Sequence, residues 1–273
     1  MFIRIVLLCS CALAMGVPLP SALAVEERTE AAVPYRTDAD LSDYAKERCR
    51  LDIVHPVGGR DLPTVIWFHG GGLTQGERQI PDAFRGKNMV LVGPTYRLSP
   101  QVKVAAIIDD AAAAVAWTCK NIEQYGGSPR KIYLTGHSAG GYLSLMVALD
   151  KKKLGDHGID ANQLAGVAPY SAQTITHFVA RGERGIPDTK PVVDEFSPLF
   201  HVRKDAPPML LITGDREREM LGRYEENAYL RRMMKVVGQG QTTLHELPGA
   251  DHGGMVGPAH PIFLGWLQKQ IAK

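Results

Sequence analysis

Cross-linking chemistry is scarce in this chain. Only four of 273 residues are cysteine, and two of those, Cys9 and Cys11, fall in the apolar segment at the start. The remaining pair, Cys49 and Cys119, carries no framework signature, and either a disulfide or two separate buried thiols fits the sequence. The histidines lack metal-ligand spacing, with no His-x-x-x-His pair or Cys-rich cluster, so no metal and no cofactor is expected. Charge of one sign is also missing: 31 Lys and Arg stand against 29 Asp and Glu, a net charge of +2. That leaves no polyanion-binding surface and no nucleic-acid partner. With 45% hydrophobic and 22% charged residues the chain is neither disordered nor collagen-like. Internal repeats and low-complexity tracts are absent as well.

The first 24 residues, MFIRIVLLCSCALAMGVPLPSALA, set a cation at Arg4 before an apolar stretch from Ile5 to Val17. Pro18 and Pro20 interrupt it, and Ala22-Leu23-Ala24 forms a small-residue cleavage pattern. A spanning helix needs roughly 20 continuous apolar residues. The segment therefore reads as a signal peptide, predicting export to the periplasm or beyond and no integral membrane segment after cleavage. Leu8-Cys9-Ser10-Cys11 faintly resembles a lipoprotein acceptor, a minor alternative. Residues 25–48 are polar and weakly patterned, and read as a peripheral N-terminal extension.

From Cys49 onward short β-branched runs alternate with helical stretches. CRLDIVHP, PTVIWFHG, NMVLVGPTYR, KIYLTGHS, LAGVAPYS, PPMLLITG and TTLHELPG read as strands. Helices are predicted around 105–124, 139–150, 220–237 and 259–272. This alternation predicts an α/β class: one domain over residues 49–273, with a mostly parallel central sheet covered by helices on both faces. Residues 171–200, rich in Gly, Pro and charge, break the rhythm and predict a small cap-like insertion facing the substrate.

Two motifs carry chemistry. Gly136-His137-Ser138-Ala139-Gly140 sits directly between a strand and a helix. A turn that tight forces its central residue into a strained conformation, and the flanking glycines let neighbouring backbones approach. Ser138 is the candidate nucleophile, although a glycine-rich turn with a capping serine would give the same pentapeptide. Upstream, PTVIWFHGGG ends a strand with His69-Gly70-Gly71-Gly72, where backbone N–H groups can turn toward a developing oxyanion. The amides of Gly71, Gly72 and Ala139 are the candidate oxyanion donors, and His69 is expected to orient the loop rather than to transfer protons.

A serine hydroxyl needs a base oriented by an acid. His252, in the glycine-flanked loop LPGADHGGM after the last strand, is the candidate base; His245 and His260 read as structural or surface residues. For the acid, the strand PPMLLITG opens into Asp215-Arg216-Glu217-Arg218-Glu219. Asp215 and Glu217 both fit the order Ser, acid, His. The spare carboxylates pair with Arg216, Arg218 or Arg223.

GHSAG, HGGG, the TYRLSP segment at 95–100 and PGADHGGM resemble the esterase/lipase branch of the α/β-hydrolase superfamily, which includes hormone-sensitive-lipase-like carboxylesterases and bacterial feruloyl and acetylxylan esterases. The resemblance runs from about Cys49 to Lys273. It implies the α/β-hydrolase fold and a serine esterase of short-chain or aryl esters, with small-molecule or polysaccharide-linked esters, plant acetyl or feruloyl groups among them, as substrates. In such enzymes the acid commonly lies three residues past the strand-end glycine, which points to Glu217 with Asp215 as the alternative. A peptidase or amidase on the same scaffold and a non-catalytic binding protein are the competing readings. Tyr142, Tyr170 and Phe178 either contact an aromatic substrate group or pack in the core.

Overall fold

A computed structural model describes residues 25–220 and 222–273. The signal-peptide reading of residues 1–24 lies outside the described residues. Eight strands form one sheet: β1 (Glu27–Pro34), β2 (Arg50–Pro56), β3 (Leu62–Phe68), β4 (Val90–Pro94), β5 (Gly127–His137), β6 (Gly166–Tyr170), β7 (Met209–Thr213) and β8 (Thr242–Glu246). Their spatial order is β1-β2-β4-β3-β5-β6-β7-β8. β2 runs antiparallel to both neighbours, and every pair from β4 to β8 is parallel. Among the described residues seven α-helices lie between or after the strands: α1 (Asp43–Arg48), α2 (Val104–Asn121), α3 (Ala139–Leu149), α4 (Lys151–Gly155), α5 (Phe178–Gly182), α6 (Arg223–Val236) and α7 (Val256–Ile271). Among the described residues no helix is long and apolar enough to cross a membrane.

The central strands are apolar on both faces because both faces are covered. In β3, Ile66 and Phe68 pack with α2, α3 and α6, whereas Val65 and Trp67 turn to the other side, against α7 and Phe84. Trp67 meets Phe84 and Tyr170 edge-on, with ring centroids 5.7 and 5.4 Å apart. Every residue of α3 is buried, which its composition, AGGYLSLMVAL, allows.

The N-terminal segment differs from the expected peripheral extension. β1 is the edge strand of the sheet, paired with β2 across a register shift between Glu30 and Val33. Its sequence, ERTEAAVP, is mostly exposed, as suits an edge, so no alternating apolar pattern marks it. Next to it Arg36 forms ion pairs with Asp109 and, at 2.9 Å, with the fully buried Asp110. Asp110 also takes a two-pronged ion pair from Arg97, with both contacts at 2.7 Å. The two remaining cysteines are separate free thiols, Cys49 buried and Cys119 partly so.

Candidate active site

Each parallel strand ends at the same edge of the sheet, and the candidate residues gather there because loops leaving those ends converge. Ser138 follows β5 and precedes α3 with φ +56° and ψ −116°, a backbone state that L-residues rarely adopt. The glycines around it are needed for space. A Cβ on Gly140 would lie 2.0 Å from the Phe68 carbonyl oxygen, and one on Gly136 would lie 2.5 Å from the same atom. Ser138 donates its amide to Tyr170 O at 2.9 Å, which fixes the turn against the end of β6. Ala139 opens α3, so its N–H has no intrahelical acceptor.

The loop after β3 passes alongside. A Cβ on Gly70 would come within 3.7 Å of Ser138 Cβ and 3.2 Å of the His137 carbonyl oxygen, so this glycine, absent from the candidates, makes the close approach. Gly71 and Gly72 continue with φ +110° and +63°. His69 is buried beneath the loop, its Nδ1 2.7 Å from Gly70 O and its ring stacked on Tyr96 at 4.3 Å. Tyr96 in turn donates its hydroxyl to His69 O at 2.8 Å. Burial pushes His69 down to about 4, so the ring is neutral at pH 7. Arg48 completes the support, donating to Gly76 O at 2.7 Å and to Tyr96 O at 3.2 Å.

His252 lies in the loop between β8 and α7. Its Nδ1 sits 2.9 Å from Glu219 Oε2, and the Glu219 side chain is fully buried. The carboxylate facing His252 is therefore Glu219, and the expected Glu217 and its alternative Asp215 are both displaced from that position. The reason is local. After β7 the chain makes a helix-like turn, with the amides of Arg218 and Glu219 donating to Asp215 O at 2.9 and 2.8 Å. That turn swings Glu217 into solvent and brings Glu219 inward. Asp215 is committed to the turn itself, its carboxylate accepting from Glu217 N at 2.9 Å and Gly249 N at 2.6 Å. The two backbone donors hold Asp215 below the usual aspartate range. An aspartate accepting from the amide two residues on is the signal the sequence offered.

Burial alone would raise the Glu219 carboxyl. Hydrogen bonds from His252 and Ser171, with a further one from the Gly214 amide, reverse this and lower it to about 2. The Gly214 amide lies 3.1 Å from Oε1. His137 holds His252 from the other side. Its Nε2 lies 2.8 Å from His252 O, and the two rings are 4.6 Å apart. Burial, then the neighbouring His252, pushes His137 down to about 4, which leaves its ring a neutral donor to that carbonyl.

The other histidines and aromatics sort themselves out. His245 is exposed, and His260 packs against Trp67 and Phe84. Tyr142 and Tyr170 are fully buried, with the Tyr142 hydroxyl donating to Phe196 O at 2.8 Å. Phe178 is partly exposed and its ring would sit 3.2 Å from a Cβ on Gly72. It lines a cleft of about 550 Å³ between the 171–200 insertion and the start of α6, together with Ile175, Pro191, Met220 and Arg223.

Known proteins similar to this chain are esterases. The family model described as BD-FAE matches residues 51–180. Carboxylesterase NlhH of Mycobacterium tuberculosis is 37% identical over 98 residues, 34% of this chain and 31% of that protein. Esterase LipC of the same organism is 29% identical over 210 residues, covering 70% of this chain and 51% of its own length. The chain thus spans about a quarter to a half of the curated relatives it matches. Among solved structures, a truncated carbohydrate esterase from gut microbiota superposes with a TM-score of 0.74 at 18% identity, over 93% of this chain and 99% of that one. The fold is that of the α/β-hydrolases, and the chain is similar over part of its length to carboxylesterases.

Proposed function

We propose that this chain is a serine carboxylic-ester hydrolase in which Ser138, His252 and Glu219 act in sequence. The observation that carries the reading is the buried Glu219 carboxylate on His252 Nδ1, with His252 held through its carbonyl by His137, the neighbour in sequence of a serine held at φ +56° on a strand-to-helix turn. Glu219 keeps the Nδ1 proton in place, so Nε2 is left free to accept the Ser138 proton. Ser138 attacks the ester carbonyl, and the amides of Ala139, Gly71 and Gly72 receive the tetrahedral oxyanion. Protonated His252 releases the alcohol, and water repeats the cycle on the acyl-enzyme.

Phe178, Ile175 and Met220 give the cleft beside the glycine loop an apolar wall suited to short acyl or aryl esters, and the carbohydrate esterase neighbour is in keeping with polysaccharide-linked esters as substrates. The Arg4 and Ala22-Leu23-Ala24 pattern supports export, which would bring such polymers within reach. The test is hydrolysis of p-nitrophenyl esters of increasing chain length and of methyl ferulate, run beside Ser138→Ala. Activity on short or aryl esters that falls by at least ~10³-fold in the variant is the expected result. Hydrolysis indifferent to Ser138 would overturn the reading. N-terminal sequencing of the protein from a periplasmic or culture fraction, beginning at Val25, would establish export.

A further inference from the structure

We infer that Ser171 is a positioning residue for the acid and base, locking the His252 tautomer from the end of β6. The inference rests on the esterase reading above and adds a fourth side chain to it. Ser171 Oγ lies 2.8 Å from His252 Nδ1, the same nitrogen that Glu219 Oε2 approaches at 2.9 Å. With the proton on Nδ1, as the reaction above requires, that one proton is shared between two acceptors. Nδ1 being the donor, the Ser171 oxygen is the acceptor, so Ser171 and Glu219 grip one nitrogen from two sides. In that arrangement Nδ1 stays protonated, and the imidazole cannot turn about its Cβ–Cγ bond without breaking two contacts at once.

The backbone of Ser171 is built for this placement. The residue is fully buried and has φ +46°, in the left-handed region where a serine is uncommon. Its amide donates to Ile212 O at 2.7 Å and its carbonyl accepts from the Arg223 guanidinium, so β7 and α6 both hold it. The preceding residue, Tyr170, accepts the Ser138 amide. Two consecutive residues at the end of β6 thereby set the nucleophile and the base against one another: Tyr170 through its carbonyl, Ser171 through its hydroxyl.

A glycine accepts the backbone state of residue 171 without strain, so Ser171→Gly removes the hydroxyl while suiting the fold. The expected result is a kcat about tenfold lower on p-nitrophenyl acetate with KM within twofold, the size of one hydrogen bond lost near the reacting groups. Aspartate also tolerates this conformation. In a Glu219→Gln background, Ser171→Asp supplies a carboxylate to the same Nδ1 and should restore at least tenfold of the lost kcat. A purely structural serine would give neither result. Wild-type kcat in Ser171→Gly, or a double variant no better than Glu219→Gln, overturns the inference. If Ser138→Ala is inactive while Ser171→Gly matches wild type, this inference alone fails; if Ser138→Ala remains active, the esterase reading fails first.

Discussion

The turn around Ser138 and the loop around Glu219 solve the same problem, holding a polar side chain at the sheet edge, by opposite means. At Ser138 the constraint is steric and local: glycines at 136 and 140 exist because the Phe68 carbonyl oxygen is within 2.5 Å of where their side chains would begin. At Glu219 the constraint is a hydrogen-bonded turn, in which Asp215 and the Gly214 amide decide which of several carboxylates faces inward. Excluded volume leaves a mark in the sequence as glycine. A hydrogen-bonded turn leaves only a choice among carboxylates.

The sharpest way to break the steric half is Gly140→Ala. Helix propensity alone would reward the change by about 1 kcal/mol. A Cβ 2.0 Å from a backbone oxygen outweighs that, since overpacking costs ~1–3 kcal/mol or more. Loss of soluble protein or a fall in Tm of at least several degrees is the expected outcome, with activity gone in whatever folds.

The hydrogen-bonded half breaks at Glu219→Gln, which should reduce kcat by ~10³–10⁴-fold because Nδ1 loses its anionic partner. Asp215→Asn should reduce it far less, by roughly tenfold, by loosening the turn that carries Glu219. Glu217→Gln, on the exposed side, should leave kcat unchanged. A kinetic series in which Glu217→Gln proves the most damaged would reverse the assignment of the acid.

The smallest effect expected is on stability as a function of pH. His69 and His137 are both held near 4 when folded, below the ordinary histidine value of about 6.5. The unfolded chain therefore binds more protons than the folded one between those values, so their stabilising contribution is complete above pH 6.5 and declines as pH falls to 4. Glu219, lowered to about 2, contributes in the same direction further down: complete above about 4.5 and lost toward pH 2. Thermal melts from pH 8 to 3 should show Tm falling in the first window, and His137→Gln should flatten that part of the curve.

Much of the fold was readable because the buried strands are continuous apolar runs and the helices between them are long. Ser138, His252 and the glycine loop stood out by their spacing to strand ends. Glu219 did not, because its place depends on a turn whose phase the strand-end count misses by two residues. Ser171 was invisible, and Gly70 stood out only as a member of the glycine loop, for a related reason: each is defined by what crosses it in space, the His252 side chain in one case and the β5 turn in the other. β1 escaped notice because an exposed edge strand needs no alternating pattern.

That edge strand bears on how the protein is handled. Residues 25–48 look expendable in the sequence, yet removing them would strip β2 of one of its two partners and offer its freed amides and carbonyls as a template to other chains, an invitation to aggregate. The same cut takes Arg48, whose guanidinium ties Gly76 and Tyr96 together under the glycine loop. A shortened protein that stayed soluble would still have lost a strut beneath the loop proposed to receive the oxyanion.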